Sequence, residues 1–125
     1  MEISFTDREA DVMQVLWDQG PCLVADVRAH LADELAYTTV LTILRTLEAK
    51  GHVSHVEEGR GHRYHARVQP QAARQSALRH LTDKLFKGST ELLFMHLVAD
   101  QKLTPEQIRR MRELLKQKAD DPEKP

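Results

Sequence analysis

The feature that most restricts the fold of this chain is a change of hydrophobic period at Gly51. Before it, apolar residues recur at helical spacing, from His52 to Val68 they alternate as in a strand, and after Pro70 the helical spacing returns. A chain written this way places a short β-hairpin between two groups of helices. With 125 residues there is room for a small domain and a helical appendage, but not for two large domains.

The leading helices can be located from their ends. Thr6 opens the segment T-D-R-E, where its hydroxyl can cap a helix and Glu9 can reach back to close a capping box. Ala10, Met13, Leu16 and Trp17 then read as an inward stripe, and Gly20-Pro21 ends the helix. A second helix is expected from Val24 to about Leu35, burying Val24, Val27, Leu31 and Leu35 and leaving Asp26, Arg28, His30 and Asp33 in water. No good capping residue precedes it. The third helix follows Ala36, with Val40, Ile43, Leu44 and Leu47 at i, i+3, i+4 and i+7, Lys50 at the negative end of its dipole and Gly51 as its stop. Its other face carries Thr39, Thr42, Arg45 and Thr46 where an ordinary solvated helix mixes Glu and Lys.

Two strands, around H-V-S-H-V-E and H-R-Y-H-A-R-V, flank an E-G-R-G tip, with Tyr64, Ala66 and Val68 at strand spacing. Arg60 sits between Gly59 and Gly61, which lets the backbone of the tip approach another surface closely. Beyond Pro70, helices are expected over 71–87, 89–100 and 105–118, the last opened by Thr104, Pro105 and Gln107. The middle one contains L-L-F-M-H-L-V, apolar around most of its circumference. Three helices of this size cannot enclose it within one chain, so a homodimer is expected, held by Leu78, Leu81, Leu85, Leu92, Leu93, Met95, Leu97, Ile108, Met111 and Leu115. The expected organisation is thus 1–69, 70–118 and a short disordered tail, 119–125.

The formal net charge of −1 does not advertise a partner, but its distribution does. Between Tyr37 and Val68, Arg45, Lys50, Arg60, Arg63 and Arg67 face only Glu48, Glu57 and Glu58, and four histidines join them. No apolar run reaches the roughly 18 residues that span a bilayer, and the start lacks the basic and apolar regions of an export signal, so a cytoplasmic protein without membrane insertion is expected. Cys22 is the single cysteine, which excludes an internal disulfide and a cysteine-built metal site. It reads as a small half-buried side chain, with an intermolecular or redox role as the alternative.

Three helices followed by a basic hairpin is the order of a winged helix-turn-helix. A third helix of this kind fits the DNA major groove, where Arg45 could pair bidentately with a guanine and the threonines could meet a thymine methyl or a phosphate. Arg60 and Arg63 would lie on flanking phosphates or enter a minor groove. Other readings stay open: a metal-responsive regulator in which His52, His55, His62 and His65 hold zinc or nickel across the strands, and a winged-helix module that binds only protein. No cofactor is expected. Nor is catalysis, since Ser4, Ser54, Ser76 and Ser89 sit in no nucleophile motif and there is no phosphate-binding glycine loop or H-E-x-x-H.

The segments T-D-R-E-A-D-V-M-Q-V-L-W, A-Y-T-T-V-L-T-I-L-R-T-L-E-A-K-G and G-R-G-H-R-Y resemble the penicillinase repressor family over nearly the whole chain. The resemblance implies a homodimeric repressor of a palindromic operator, with an N-terminal winged helix on double-stranded DNA and a C-terminal three-helix dimerisation domain. By matching position it implies DNA contacts for Thr38, Thr39, Thr42, Arg45, Arg60 and His62. In penicillinase-type members a membrane sensor protease triggers cleavage at an Asn-Phe bond, whereas the matching positions here are about His96-Leu97 and no Asn-Phe pair occurs. Copper-responsive members carry a C-terminal cysteine motif, which this chain lacks.

Overall fold

A computed structural model describes residues 3–121 of the chain. In order, the elements are α1 (Asp7–Gln19), β1 (Cys22–Leu23), α2 (Val24–His30), α3 (Tyr37–Ala49), β2 (Val53–Glu58), β3 (Gly61–Ala66), α4 (Pro70–Leu85), α5 (Thr90–Asp100) and α6 (Pro105–Asp120). They form two compact units that divide between His80 and Leu81. The division falls within α4, later than the expected boundary after residue 69. The first half of α4 is tied to the N-terminal segment, where the Ser76 hydroxyl donates to the Ile3 carbonyl and accepts from the Ile3 N–H, both at 3.1 Å.

In the first unit the capping box of α1 forms as expected. Glu9 N–H donates to the Thr6 hydroxyl and Thr6 N–H to the Glu9 carboxylate, at 3.2 and 2.8 Å. The inward face is turned from the expected stripe, however. Val12, Met13, Val15 and Leu16 are buried and Trp17 packs partly against them, while Ala10 is exposed and Glu9 takes the inward position. A carboxylate can lie there because its oxygens are satisfied locally and by Lys50.

The helix α2 is shorter than expected and ends at His30. The Arg28 guanidinium donates to the Leu35 carbonyl at 2.7 Å, and Leu31 turns to an extended backbone (ψ 141°). The chain from 31 to 36 therefore folds back as a loop, and Leu31 and Leu35 still reach the core from it. The start of α2, which has no conventional capping residue, is closed by the Asp26 carboxylate accepting from Leu23 N–H at 3.2 Å.

Three strands, not two, make the sheet, in the order β1-β3-β2 and antiparallel throughout. The two-residue β1 is too short to show any alternation in sequence. It pairs Cys22 with Tyr64 and Leu23 with Arg63. Cys22 is buried and its thiol contacts the Gly20 carbonyl, and burial raises its pKa, which suits the packing reading and gives no sign of a reactive thiolate. Val68 lies outside β3 but is buried, and its carbonyl accepts from the Trp17 indole at 2.8 Å. The core of the unit joins α1, α2 and α3 to the sheet, with Val12, Met13, Val27, Val40, Leu44, Leu47 and Tyr64 fully enclosed. Each such side chain stabilises the unit by about 1.5–3 kcal/mol relative to exposure.

The second unit begins in the last turn and a half of α4. Lys87 and Gly88 take positive φ (55° and 71°) to turn the chain, Ser89 caps α5 by accepting from Leu92 N–H at 3.0 Å, and Thr104 and Gln107 close the expected capping box of α6. That helix runs to Asp120, so Ala119 and Asp120 are helical and not part of a tail, and residues 122–125 of the expected tail lie outside the described residues. Among the expected interface residues, Leu93 is buried within its own chain and Leu92 and Met111 are half-buried. Leu81, Leu85, Met95, Leu97, Ile108 and Leu115 are exposed, and Phe94, Val98 and Leu114 add to this apolar surface. Leu78, earlier on α4, is exposed too.

Candidate nucleic-acid interface

The candidate interface is built on α3, whose orientation is set by Val40, Leu44 and Leu47, all buried without residual exposure, and by the half-buried Ile43. Its end is closed by backbone alone. Gly51, at φ 85°, donates to the Glu48 carbonyl and His52 N–H donates to the Leu47 carbonyl, which is a Schellman ending. With one side locked inward, Tyr37, Thr38, Thr39, Thr42, Arg45, Thr46 and Ala49 are left in solvent. No carboxylate lies among them.

Two of the threonines, Thr42 and Thr46, are not free rotors. The Thr42 hydroxyl donates to the Thr38 carbonyl and the Thr46 hydroxyl to the Thr42 carbonyl, each at 2.9 Å. Their protons are thus engaged by the helix, and toward an outside surface they offer a methyl group and acceptor lone pairs. Arg45 forms no ion pair among the described residues. Beneath it, the Tyr64 hydroxyl is fully buried and no described group reaches it within hydrogen-bonding geometry. Burial raises the Tyr64 pKa, the Glu48 carboxylate raises it further, and the nearby Arg45 guanidinium opposes both.

The hairpin supplies the second part. Register pairs Glu58 with Gly61, so the tip is the two-residue turn Gly59-Arg60, in which Gly59 takes φ 61° and Arg60 is exposed. Alternation along the pairs puts Val53, His55, Glu57, His62, Tyr64 and Ala66 on one face and Ser54, Val56, Glu58, Arg63 and His65 on the other. The first face packs on the helices. The half-buried His62 therefore lies on the face toward the helices, Arg63 points away from it, and Arg60 stands exposed in the turn between the strands.

Arg63 is also fully occupied. Its guanidinium donates to Glu58 at 2.6 and 3.2 Å and to the Pro21 carbonyl at 3.1 Å, binding the hairpin to the chain entering β1. The Glu58 hydrogen bond is the main cause that raises its pKa. The expected contact of Arg63 with flanking DNA thus falls on a guanidinium that is already bound within the chain, on the strand face opposite His62.

The four hairpin histidines are separated in the same way. His65 is on the opposite face, and His52 is buried beside Phe5, with ring centroids 5.2 Å apart. Only His55 and His62 meet, as stacked rings 4.2 Å apart and inclined by 10°. Among the described residues no group of three or more His, Cys, Asp or Glu side chains could hold a metal ion.

Two features escaped sequence reasoning. The first is the ion pair of Lys50 with the buried Glu9, 2.8 Å long, which ties the end of α3 to the start of α1. Burial would raise the Glu9 pKa, but the hydrogen bond and charge of Lys50 and the bonds from Thr6 outweigh it and the pKa is lowered. The second is the contact of His55 Nδ1 with both Glu48 oxygens, at 2.7 and 2.9 Å. The one signal available in the sequence was that Glu48 is the sole acid of the third helix.

Solved structures with a similar fold are known. A MarR family protein from Bacillus stearothermophilus is 15% identical, with 98% of this chain and 78% of that one covered at a TM-score of 0.51. A structure concerned with regulation of DNA binding of Bordetella bronchiseptica BpsR by 6-hydroxynicotinic acid is 20% identical, with 94% and 76% covered at a TM-score of 0.46. No curated protein matches the chain. The fold is that of a winged-helix regulator, six helices with a small three-stranded wing. The penicillinase repressor family model matches residues 5–117, and the chain belongs to that family. It is a DNA-binding transcriptional regulator.

Proposed function

We propose that the protein is a homodimeric, sequence-specific repressor that binds a palindromic operator with α3 in the major groove and the Gly59-Arg60 tip on the flanking DNA. One observation carries this reading: the fully exposed residues of α3 include no carboxylate and display threonines and Arg45, while the half-buried Glu48 is turned to His55. A phosphate-lined groove repels acids, and an arginine without an ion-pair partner among the described residues has no salt bridge to give up before meeting a guanine. Thr39 and Thr42 contribute methyl and acceptor contacts to base edges, Thr38 lies in the first turn beside the phosphates, and His62 and Arg60 continue the contact along the wing. Arg63 serves this interface from behind, by holding the hairpin.

Affinity from so few cations requires two copies acting together, and the exposed apolar side chains of the second unit give a second copy its surface. On this reading the protein acts in the cytoplasm, where its DNA is, and among the described residues no helix is long and apolar enough to cross a membrane. Relief of repression by a membrane sensor protease would act at about His96-Leu97. Those residues lie inside α5, so cleavage there requires that helix to open first.

Footprinting on the DNA upstream of the chain's own gene tests the reading. A symmetric protected site is expected, with Arg45→Ala weakening binding by about tenfold or more per subunit. Absence of protection at low salt and ample protein would refute it. Sedimentation of the same preparation checks the dimer, and an adjacent gene for a membrane protease would speak for proteolytic induction.

A further inference from the structure

The hairpin is held to the helices unevenly. Along β2 burial decreases from Val53, which is enclosed, through the half-buried Ser54 and His55 to the exposed Val56, Glu57 and Glu58. A two-stranded ribbon with no apolar packing is marginal on its own, so something must set the direction of its outer half. His55 is the outermost residue of β2 that is not exposed, and it is there that the hairpin meets α3 through Glu48. Both carboxylate oxygens lie on Nδ1, and the two side chains keep 28% and 32% of their exposure. Nδ1–H donates to the carboxylate in the neutral ring as in the charged one. His62, one register step nearer the tip, stacks flat on the other side of the ring. Tyr64 closes the group from below, its ring 5.3 Å from His55. Glu48 thus faces the hairpin from the helix that carries Arg45, three residues earlier in sequence.

We infer that Glu48, His55 and His62 are positioning residues that clamp the wing to the recognition helix, so that Arg60 and Arg45 address one stretch of DNA as a rigid pair. None of Glu48 or His55 needs to touch DNA for this. Their contribution is to hold the tip in place before binding, which removes the cost of ordering it on the duplex. The inference rests on the DNA-binding role proposed above.

The test uses the full-length protein and a duplex that the wild type selects from a random-sequence pool. Glu48→Ala is expected to weaken binding about tenfold and to erase protection at the flanks of the site while leaving the centre protected. Glu48→Gln keeps an acceptor for Nδ1–H and recovers most of that loss. In an Arg60→Ala background, Glu48→Ala has no further effect, because the clamp acts only through the tip. Independent, multiplying losses from Glu48→Ala and Arg60→Ala, or flank protection that survives Glu48→Ala, would overturn the clamp. A thermal melt accompanies each variant, and if Glu48→Ala does not fold, His55→Ala is read by the same criteria. If the wild type selects no duplex at all, the DNA-binding role itself fails and the clamp with it.

Discussion

The two units of this protein solve opposite problems with helices of similar length. In the unit that ends at His80, three helices and a sheet close over a common core, and its ion pairs connect elements distant in sequence, as Lys50 does with Glu9. In the unit from Leu81 onward only Thr82 and Leu93 are buried among the described residues, while leucines and a methionine stand in solvent on α4, α5 and α6. The first has spent its apolar surface on itself and exposes the threonines and Arg45 of α3. The second has kept its apolar surface for something outside the chain. On the proposed reading, recognition and assembly are divided: one unit is rigid before it meets DNA, and the other gains its packing on association.

The contrast can be broken most forcefully at Leu44. Leu44→Ala should cost about 2–5 kcal/mol in urea unfolding, because its site is fully enclosed, while Leu115→Ala should leave the stability of the monomer within about 0.5 kcal/mol. Equal losses would mean that the second unit is packed as tightly as the first. Next in size is assembly. Leu85→Glu combined with Leu97→Glu should yield a monomer in sedimentation with an intact helical spectrum, and should lower apparent affinity for DNA about a hundredfold. A dimer that persists would place the interface elsewhere.

Two smaller effects sharpen the account of the first unit. Lys50→Ala leaves the Glu9 carboxylate buried with only Thr6 to satisfy it, and about 2–3 kcal/mol of stability should be lost at neutral pH. His52 gives the mildest signature. Burial, and then the Lys50 charge, lowers its pKa against a weaker opposing pull from Glu9, and its Nδ1 has no described hydrogen-bond partner. The unfolded chain therefore binds a proton there more readily than the folded one. Stability is complete above about pH 6.5, the ordinary histidine value, and declines as pH falls below it toward the depressed folded value, with a slope of at most about 1.4 kcal/mol per pH unit. A His52→Leu variant should flatten that slope in melts between pH 7 and 5; an unchanged slope would assign the titration to another group.

Much of the architecture could be read from spacing. The capping boxes at Thr6 and Thr104, the stop at Gly51 and the inward face of α3 are local features, settled by residues within one or two turns of one another. The misreadings have a common origin. Ala10 was placed inward because alanine is apolar, but Glu9 takes the position because Lys50, 41 residues away, satisfies it. Leu31 and Leu35 do reach the core, yet from a loop, in which Arg28 ties the Leu35 carbonyl back to α2. Arg63 looked equivalent to Arg60 in a basic hairpin, and only the pairing with β1 and Glu58 turned it into a strut.

What the sequence by itself determined was the order of elements, the carboxylate-free face of the third helix and the excess of apolar surface in the C-terminal half, since periodicity and composition are properties of neighbours along the chain. The tertiary structure decided which charges remain available to DNA. Lys50 and Arg63 are spent on Glu9 and Glu58, Glu48 is turned to His55, and Arg45 and Arg60 are left without ion-pair partners among the described residues. A side chain's charge is written in the sequence, but its partner is fixed only when folding brings the two groups within about 3 Å of each other.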